Sequence, residues 1–366
     1  MIYLDHNATA PMLPEVRDAM APWWGRPSNP ASTHRAGQRA RTAVEQARYE
    51  VAALVGGDPR GVVFTSGATE ANYAWYAGLA RLGVRSVAVS AVEHPSTLAA
   101  AQQIARAGGE VHPLGVDADG RIDPAPPPGV QAFSMMAANH ETGVIQPLFA
   151  ALAVARARGL RIHVDAVQAA GRIELSLSAA DAVVLSAHKL GGPGGVGALV
   201  LQDGEPFPPL LGGGGQERGR RAGTVFTAGV VGFGVACRLA RTELASRAEG
   251  MADLSHLLRR EVTALGGRVV GAELLPNTTC VVFPGIPGES AVQSLDLAGF
   301  CVSSGAACAS GSLDPSPVLI AMGDPEPAGA VRISLGPSTT RDQIEAFVFA
   351  LSETLTAIRT AAALEL

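Results

Sequence analysis

A single lysine, Lys189, is the first residue whose type points to chemistry. It is the only lysine among the 28 basic residues of the chain, and all the others are arginines. Such a bias favours arginine wherever a positive charge is enough, so a retained lysine indicates a task that arginine does not perform. A lysine amine can lose its proton and form an imine, whereas arginine stays protonated. The alternative is a surface lysine retained by chance.

Three further side chains could work with such an amine. Asp165 follows an apolar strand pattern, where a carboxylate is costly unless paired, and one productive partner is a protonated ring nitrogen. His94 also follows a strand pattern and could place a flat, ionisable ring over a cofactor. Arg332 lies within a strand pattern, and its fork suits a substrate carboxylate. The alternatives are a capped turn or metal ligand for Asp165, a loop histidine for His94 and an internal salt bridge for Arg332.

Cys308 differs from the three other cysteines in its surroundings. Cys237 lies in a helical pattern, and Cys280 and Cys301 lie in apolar strand patterns, which favours small buried side chains. Cys308 lies among tiny residues at positions 303–312, where no core pattern is present. This composition predicts a loop in which an exposed thiol is a liability unless it is used. The four cysteines lack the CxxC spacing of metal sites and are too few for a disulfide scaffold.

Alternating strand and helix patterns must position these residues. The alternation predicts an α/β fold in which helices cover both faces of a mainly parallel sheet, with ligands at the carboxyl ends of the strands. The predicted strands are residues 62–64, 87–89, 132–136, 162–164, 182–185 and 198–201, and the helices between them include residues 68–82, 97–107 and 148–157.

Polar residues follow five of these strands, as expected for a ligand site. They are residues 66–69, 93–94, 139–141, 165 with 168, and 186–189. The first group leaves a strand and enters a helix, where backbone N–H groups and the helix dipole favour an anion. Helix capping by Ser66 or Thr69 is the alternative for that group. From residue 226 onward a long helical stretch and shorter strands predict a smaller α+β domain.

Composition limits the classes of function. A net charge of −5 and scattered arginines give no indication of binding to nucleic acid or a membrane surface. No apolar stretch of membrane-spanning length stands out, and residues 1–6 lack the pattern of a signal peptide. We therefore expect a cytoplasmic protein.

The segments together resemble the cysteine desulfurases, most closely those of the nitrogen-fixation and iron–sulfur-cluster branch. The matching motifs follow one another along nearly the whole chain: residues 3–9 (YLDHNAT), 28–32 (SNPAS), 64–70 (FTSGATE), 92–94 (VEH), 163–168 (HVDAVQ), 186–189 (SAHK), 212–218 (GGGGQER), 221–224 (RAGT) and 303–310 (SSGAACAS).

The resemblance implies a fold-type-I transferase dependent on pyridoxal phosphate, of the class V aminotransferase family. It implies a large domain, residues 15–240, built on a mainly parallel seven-stranded sheet. It also implies a small α+β domain, residues 1–14 and 241–366, carrying a catalytic cysteine loop at about residues 302–314.

Roles follow from the resemblance residue by residue. Lys189 would hold the cofactor as an imine, His94 would stack on the ring and move protons, and Cys308 would take the sulfur. Further cofactor contacts are implied for Ala68, Thr69, His140, Asp165, Gln168, Ser186, His188 and Thr224, and substrate contacts for Arg332, Asn139 and His140. The partner subunit of a homodimer would supply Thr224, and no metal is implied.

The implied reaction converts L-cysteine to L-alanine and leaves a persulfide on Cys308. A sulfur-acceptor protein would use it for iron–sulfur clusters, or for thio-cofactor or tRNA synthesis, and the sequence does not identify that acceptor. The alternatives are a selenocysteine lyase or a small-amino-acid aminotransferase of the same fold; a non-catalytic scaffold would not need Lys189, Asp165, His94 and Cys308. One departure is His140, which stands where the family usually has asparagine.

Overall fold

The structure is a computed structural model that describes residues 1–202, 207–305 and 315–364. Its strands are β1 (Ile2–Tyr3), β2 (Val62–Thr65), β3 (Ser86–Ser90), β4 (Glu110–Leu114), β5 (Ala132–Met136), β6 (Arg161–Asp165), β7 (Ala182–Ser186), β8 (Gly197–Leu201), β9 (Arg268–Val269), β10 (Thr278–Val282), β11 (Phe300–Cys301), β12 (Ser303–Ser304) and β13 (Ala330–Ser334). Its helices are α1 (Pro14–Met20), α2 (Arg35–Val55), α3 (Ala68–Arg81), α4 (Pro95–Arg106), α5 (Leu148–Ala157), α6 (Thr227–Thr242), α7 (Leu244–Ala264), α8 (Gly288–Leu297), α9 (Pro317–Ala321) and α10 (Arg341–Leu364).

The central sheet has seven strands in the order β2-β8-β7-β6-β5-β3-β4. Only β8 runs against its neighbours, pairing antiparallel with both β2 and β7, so the predicted α/β fold with a mainly parallel seven-stranded sheet is confirmed. The edge strand β4 was missed by the sequence patterns. It contains Pro113 and is only partly buried, and proline within a strand pattern is confined to edges because it donates no ladder hydrogen bond.

Helices cover both faces of this sheet, as predicted. Successive side chains of a strand point to opposite faces: Val183 and Leu185 of β7 join a core with α1, α2, α5 and α6, whereas Val184 joins a core with α3 and α4. Burial on both faces explains the nearly continuous apolar runs of β5, β7 and β8.

A second, antiparallel sheet has the order β12-β13-β10-β9 and packs with α7, α8 and α10 around a separate apolar core. Leu4 from the N-terminal segment belongs to this core, and β1 pairs with β11. The domain boundaries at residues 14–15 and 240–241 remain a prediction.

By length and composition alone the helix over Arg341–Ala363 could cross a membrane, but Ile344, Phe347 and Leu351 of α10 pack in the core of the second sheet.

Candidate active site

A cavity of about 330 Å³ lies at the carboxyl ends of the central strands. It brings together side chains from five strand ends and from the second sheet, which is the arrangement expected for a ligand site in an α/β fold. The predicted site residues that line it are Ala68, Thr69, His94, His140, Asp165, Gln168, Ser186, His188, Lys189 and Arg332.

The segment between β2 and α3 forms one end of the cavity. The first helical hydrogen bond of α3 runs from the Ala71 N–H to the Gly67 carbonyl, at 3.2 Å, so the N–H groups of Ala68, Thr69 and Glu70 have no partner within the helix. The Ser66 N–H donates to Glu70 Oε2 at 2.7 Å. Strand β8 approaches this turn so closely that a Cβ on Gly197 would lie 2.7 Å from the Gly67 Cα. Unpaired N–H groups at a helix start form an anion site, which suits a phosphate.

Lys189 ends a 3₁₀ turn over Ala187–Lys189 that directly follows β7. Its Nζ donates to the carbonyl oxygens of Asn7 and, at 2.8 Å, Ala8. The N-terminal segment therefore holds the lysine amine in place at the cavity wall. Sequence patterns assigned no role to Asn7.

Asp165 is the last residue of β6 and is 6% exposed. Its Oδ1 accepts a hydrogen bond from the Val167 N–H at 3.0 Å, and among the described residues no ion pair to Asp165 is found. Burial raises the pKa of this carboxyl, while His94, the Val167 N–H and Lys189 are among the influences that lower it. A buried carboxylate that faces a cavity without a cation bound to it suits a protonated ring nitrogen.

Gln168 and His188 are held in fixed orientations beside Lys189. The Gln168 Nε2 donates to the Asn7 carbonyl at 3.0 Å, and its Oε1 accepts from Arg172. The His188 Nδ1 lies 3.2 Å from the Thr9 hydroxyl. Burial, and secondarily the charge of Lys189, lowers the pKa of His188 to about 4, so this ring is neutral near pH 7.

Arg332 reaches the cavity from β13 and is 1% exposed. Its Nη2 pairs with Asp5 Oδ1 at 2.7 Å and its Nη1 donates to the His140 carbonyl at 3.0 Å, which leaves its Nε without a partner. The internal salt bridge therefore exists, and the free Nε–H leaves donor capacity for an anion in the cavity.

His140 is buried at the cavity wall, and neither of its ring nitrogens has a hydrogen-bond partner. Its ring meets that of His94 edge-on, with centroids 5.2 Å apart. Burial lowers the pKa of His140 well below its usual value, and the neighbouring basic groups His94, Arg332 and Lys189 act in the same direction. His140 is therefore a neutral imidazole with one donor and one acceptor to offer.

Two predicted residues do not line the cavity, and one lies outside the described residues. The Asn139 side chain stabilises a buried turn: its Oδ1 accepts from the N–H groups of Glu141 and Thr142, both at 2.9 Å, and its Nδ2 donates to Val92. Thr224 is exposed away from the cavity. Cys308 falls in residues 306–314, outside the described part of the chain. The roles predicted for all three remain predictions.

The arginine run at 218–221 makes contacts within the chain. Arg221 pairs with Glu70 at 2.8 Å, and Arg218 pairs with Glu45 at 3.2 Å. Burial raises the pKa of Glu70, but hydrogen bonds from Arg221 and Ser66 prevail and lower it. These contacts connect the glycine-rich loop, residues 212–223, to α2 and α3.

The fold and this cavity define a transferase of known class: the model of the class-V aminotransferase family matches residues 2–347, and the chain belongs to that family. A cysteine desulfurase of Cereibacter sphaeroides is 42% identical over 362 residues, which cover 94% of this chain and 93% of the relative. Within the family the chain therefore belongs with the cysteine desulfurases, and the resemblance predicted from its motifs is confirmed.

Solved structures agree with this assignment. A NifS-like protein superposes with a TM-score of 0.90 at 33% identity, over 97% of this chain and 99% of that chain. SspA in complex with cysteine superposes with a TM-score of 0.79 at 29% identity, over 93% and 100% of the two chains. The protein is thus an enzyme of a family that depends in general on pyridoxal phosphate.

Proposed function

We propose that the protein is a cysteine desulfurase that uses pyridoxal phosphate to convert L-cysteine to L-alanine. The main support for this proposal is that Lys189, the only lysine of the chain, and Asp165 line the same cavity. In the net reaction the C–S bond of the substrate breaks, its sulfur forms an S–S bond with Cys308, and the thiol proton ends on the substrate carbon. Alanine and an enzyme persulfide result, and no external oxidant is needed.

The described residues fit pyridoxal phosphate. The Lys189 amine would bind the aldehyde carbon, Asp165 would pair with the protonated ring nitrogen, and the turn before α3 would bind the phosphate. When bound, the cofactor supplies an electron sink for bond changes at the substrate carbon. The remaining cavity residues predicted to contact it are Ala68, Thr69, His140, Gln168, Ser186 and His188.

Substrate recognition is proposed to use Arg332 and His140 together. The Nε of Arg332 and both ring nitrogens of His140 are buried without hydrogen-bond partners, and His140 Nε2 lies 3.5 Å from Glu141 Oε1. A buried donor without an acceptor is costly. A substrate carboxylate would accept from both residues. Because His140 is neutral, it adds a donor without adding a second positive charge beside Arg332.

The described strands support a role for Cys308 at this cavity. In the register of β12 and β13, Ser303 is paired with Arg332, so the chain leaves β12 beside the cavity wall. Cys308 is three residues beyond Gly305, the last described residue before the gap, and three residues span at most about 10 Å. By contrast, Cys237 and Cys280 are fully buried, and burial raises the pKa of both thiols, which disfavours them as nucleophiles.

The test is mass spectrometry of the holoenzyme after incubation with L-cysteine. We expect one added sulfur on the Cys308 peptide and release of alanine. Cys308→Ser should bind the cofactor normally but release no sulfide, whereas the matched variant Cys301→Ser should keep wild-type turnover. Persulfide on Cys237, Cys280 or Cys301, or full sulfide release by Cys308→Ser, would contradict the mechanism. Turnover of selenocysteine alone would favour a selenocysteine lyase.

A homodimer is part of the proposal. Trp24 and Phe226 are exposed by 59% and 43% and contact each other with ring centroids 5.6 Å apart, and large exposed apolar side chains mark interaction surfaces when they cluster. Thr224, two residues before Phe226, would reach the partner's phosphate site. Sedimentation should give a dimer, and Trp24→Glu should give monomers with weakened cofactor binding.

The sulfur acceptor and the cellular location also remain proposals. We expect an acceptor protein that takes the persulfide sulfur, for iron–sulfur clusters or for thio-cofactor or tRNA synthesis, and a cytoplasmic enzyme. Capture of partners by the persulfidated enzyme in extracts of the native cell, with Cys308→Ser as the control, tests the acceptor. Cell fractionation tests the location.

A further inference from the structure

A chain of hydrogen bonds runs from His94 into the interior of the sheet. The His94 Nδ1 accepts a hydrogen bond from the Ser96 backbone N–H at 3.1 Å and lies 2.7 Å from the Ser96 hydroxyl. The Asn72 Nδ2 in turn lies 3.1 Å from that hydroxyl. Asn72 and Ser96 are buried, and neither is used by the proposed chemistry.

The hydrogen bonds farthest from His94, between Asn72, His163 and Ser134, indicate which atoms donate. The Asn72 Oδ1 lies 3.1 Å from the His163 Nε2, and the His163 Nδ1 lies 2.7 Å from the Ser134 hydroxyl. Burial lowers the pKa of His163 to about 3, so it is a neutral ring with one proton. An amide oxygen only accepts, so the His163 proton is on Nε2 and Ser134 donates to Nδ1.

On the other side of the Asn72 amide, the Nδ2 donates to the Ser96 hydroxyl. The Asn72 Nδ2 also lies 3.0 Å from the Thr97 hydroxyl. Burial raises the pKa of Asp165, and a hydrogen bond from Asn72 is among the influences that lower it, as expected when the NH₂ side of the amide faces this carboxylate. The Ser96 oxygen accepts from Asn72, so its own proton is available to His94 Nδ1.

We propose that Asn72 and Ser96 are positioning residues that hold His94 in the tautomer with its proton on Nε2. Both donors at Nδ1 belong to Ser96, and Nε2 is the nitrogen left to face the cavity. His94 therefore presents a hydrogen-bond donor, the Nε2–H, to the cavity. The effect expected on turnover rests on the proposed function, whereas the tautomer does not.

The tautomer can be measured without turnover. Histidine labelled with ¹⁵N in the holoenzyme gives long-range ¹H–¹⁵N correlations for the eight histidines, and His94 is assigned by the signals lost in His94→Gln. We expect Nδ1 without a proton and Nε2 with one near neutral pH. A proton on Nδ1 would overturn the inference. An inactive wild-type enzyme with the expected tautomer would contradict the proposed function and leave the inference standing.

Two variants separate positioning from structural support. Asn72→Leu keeps the side-chain size but removes the amide, and it should shift the His94 Nδ1 resonance and lower kcat by about tenfold or more, with KM nearly unchanged. Thr97→Val removes the other hydroxyl bonded to Asn72 and should leave the His94 signals and kcat near wild type. If Asn72→Leu does not fold, Ser96→Ala replaces it with the same expectation. His94 resonances identical to wild type in the folded variant would refute the positioning role.

Discussion

Glu217→Gln should destabilise the protein strongly, because it removes the negative charge that faces a buried arginine. Arg48 and Glu217 form a two-point ion pair with distances of 2.9 and 3.0 Å, and their side chains are 4% and 3% exposed. The same Glu217 Oε2 accepts from the Phe64 N–H in β2 at 2.8 Å. Burial lowers the pKa of Arg48, but pairing with Glu217 prevails and raises it. An arginine stays protonated in proteins even without such a partner, so Glu217→Gln leaves a positive charge buried with less compensation.

The expected loss follows from the cost of an unpaired buried charge. Removing one member of a buried ion pair costs about 3–5 kcal/mol. Glu217 also has a φ of 49°, a left-handed conformation that costs a residue other than glycine about 1–2 kcal/mol. The bonds of Glu217 stabilise this conformation, so their loss should also loosen the glycine-rich loop that contains it.

Glu45→Gln is the matched control, because Glu45 pairs with the same arginine at 3.1 Å but is 48% exposed. An exposed pair contributes about 0–1 kcal/mol. Urea unfolding of the cofactor-free protein, followed by circular dichroism, measures both losses. Equal losses for the two variants would refute the reasoning that burial of the pair decides its contribution.

Three further outcomes are expected. Lys189→Ala should abolish the visible absorption of the bound cofactor, and borohydride should attach cofactor to the Lys189 peptide of the wild type; a labelled N-terminal amine instead would contradict this. Asp165→Asn should bind cofactor but lose about a hundredfold or more in kcat, since about 1.4 kcal/mol is tenfold in rate; near-normal turnover would mean a structural carboxylate. Burial raises the pKa of Glu141 from 4.5 to about 7. Between these two pH values the folded state binds a proton at Glu141 that the unfolded state has lost, so the free energy of unfolding falls as pH rises through this range. Urea midpoints at pH 5 and pH 8 should show this fall in the wild type and less of it in Glu141→Gln.

Strand ends made the site predictable from sequence. Asp165, Lys189 and His94 each follow an apolar run, and a parallel sheet brings such ends to one edge, so their meeting in one cavity followed from the patterns. Their partners were not predictable in this way. Asp5 pairs with Arg332 across 327 positions, and Asn72 bonds to Ser96 from the face of a neighbouring helix. Contacts of this kind depend on how the helices and the N-terminal segment pack against one another. Local sequence patterns do not predict this packing.

The charges around the cavity explain why three histidines can lie beside a lysine and an arginine. Burial is the first cause that lowers the pKa of His94, His140 and His188, so near pH 7 none of them adds a positive charge. Asp5 neutralises Arg332, which leaves Lys189 and Asp165 as opposite charges on one wall. In the proposed function a substrate carboxylate would accept from Arg332 Nε and His140 without displacing Asp5. In the proposed reaction the Lys189 amine would hold the proton that moves, a role that an arginine, which stays protonated, does not perform.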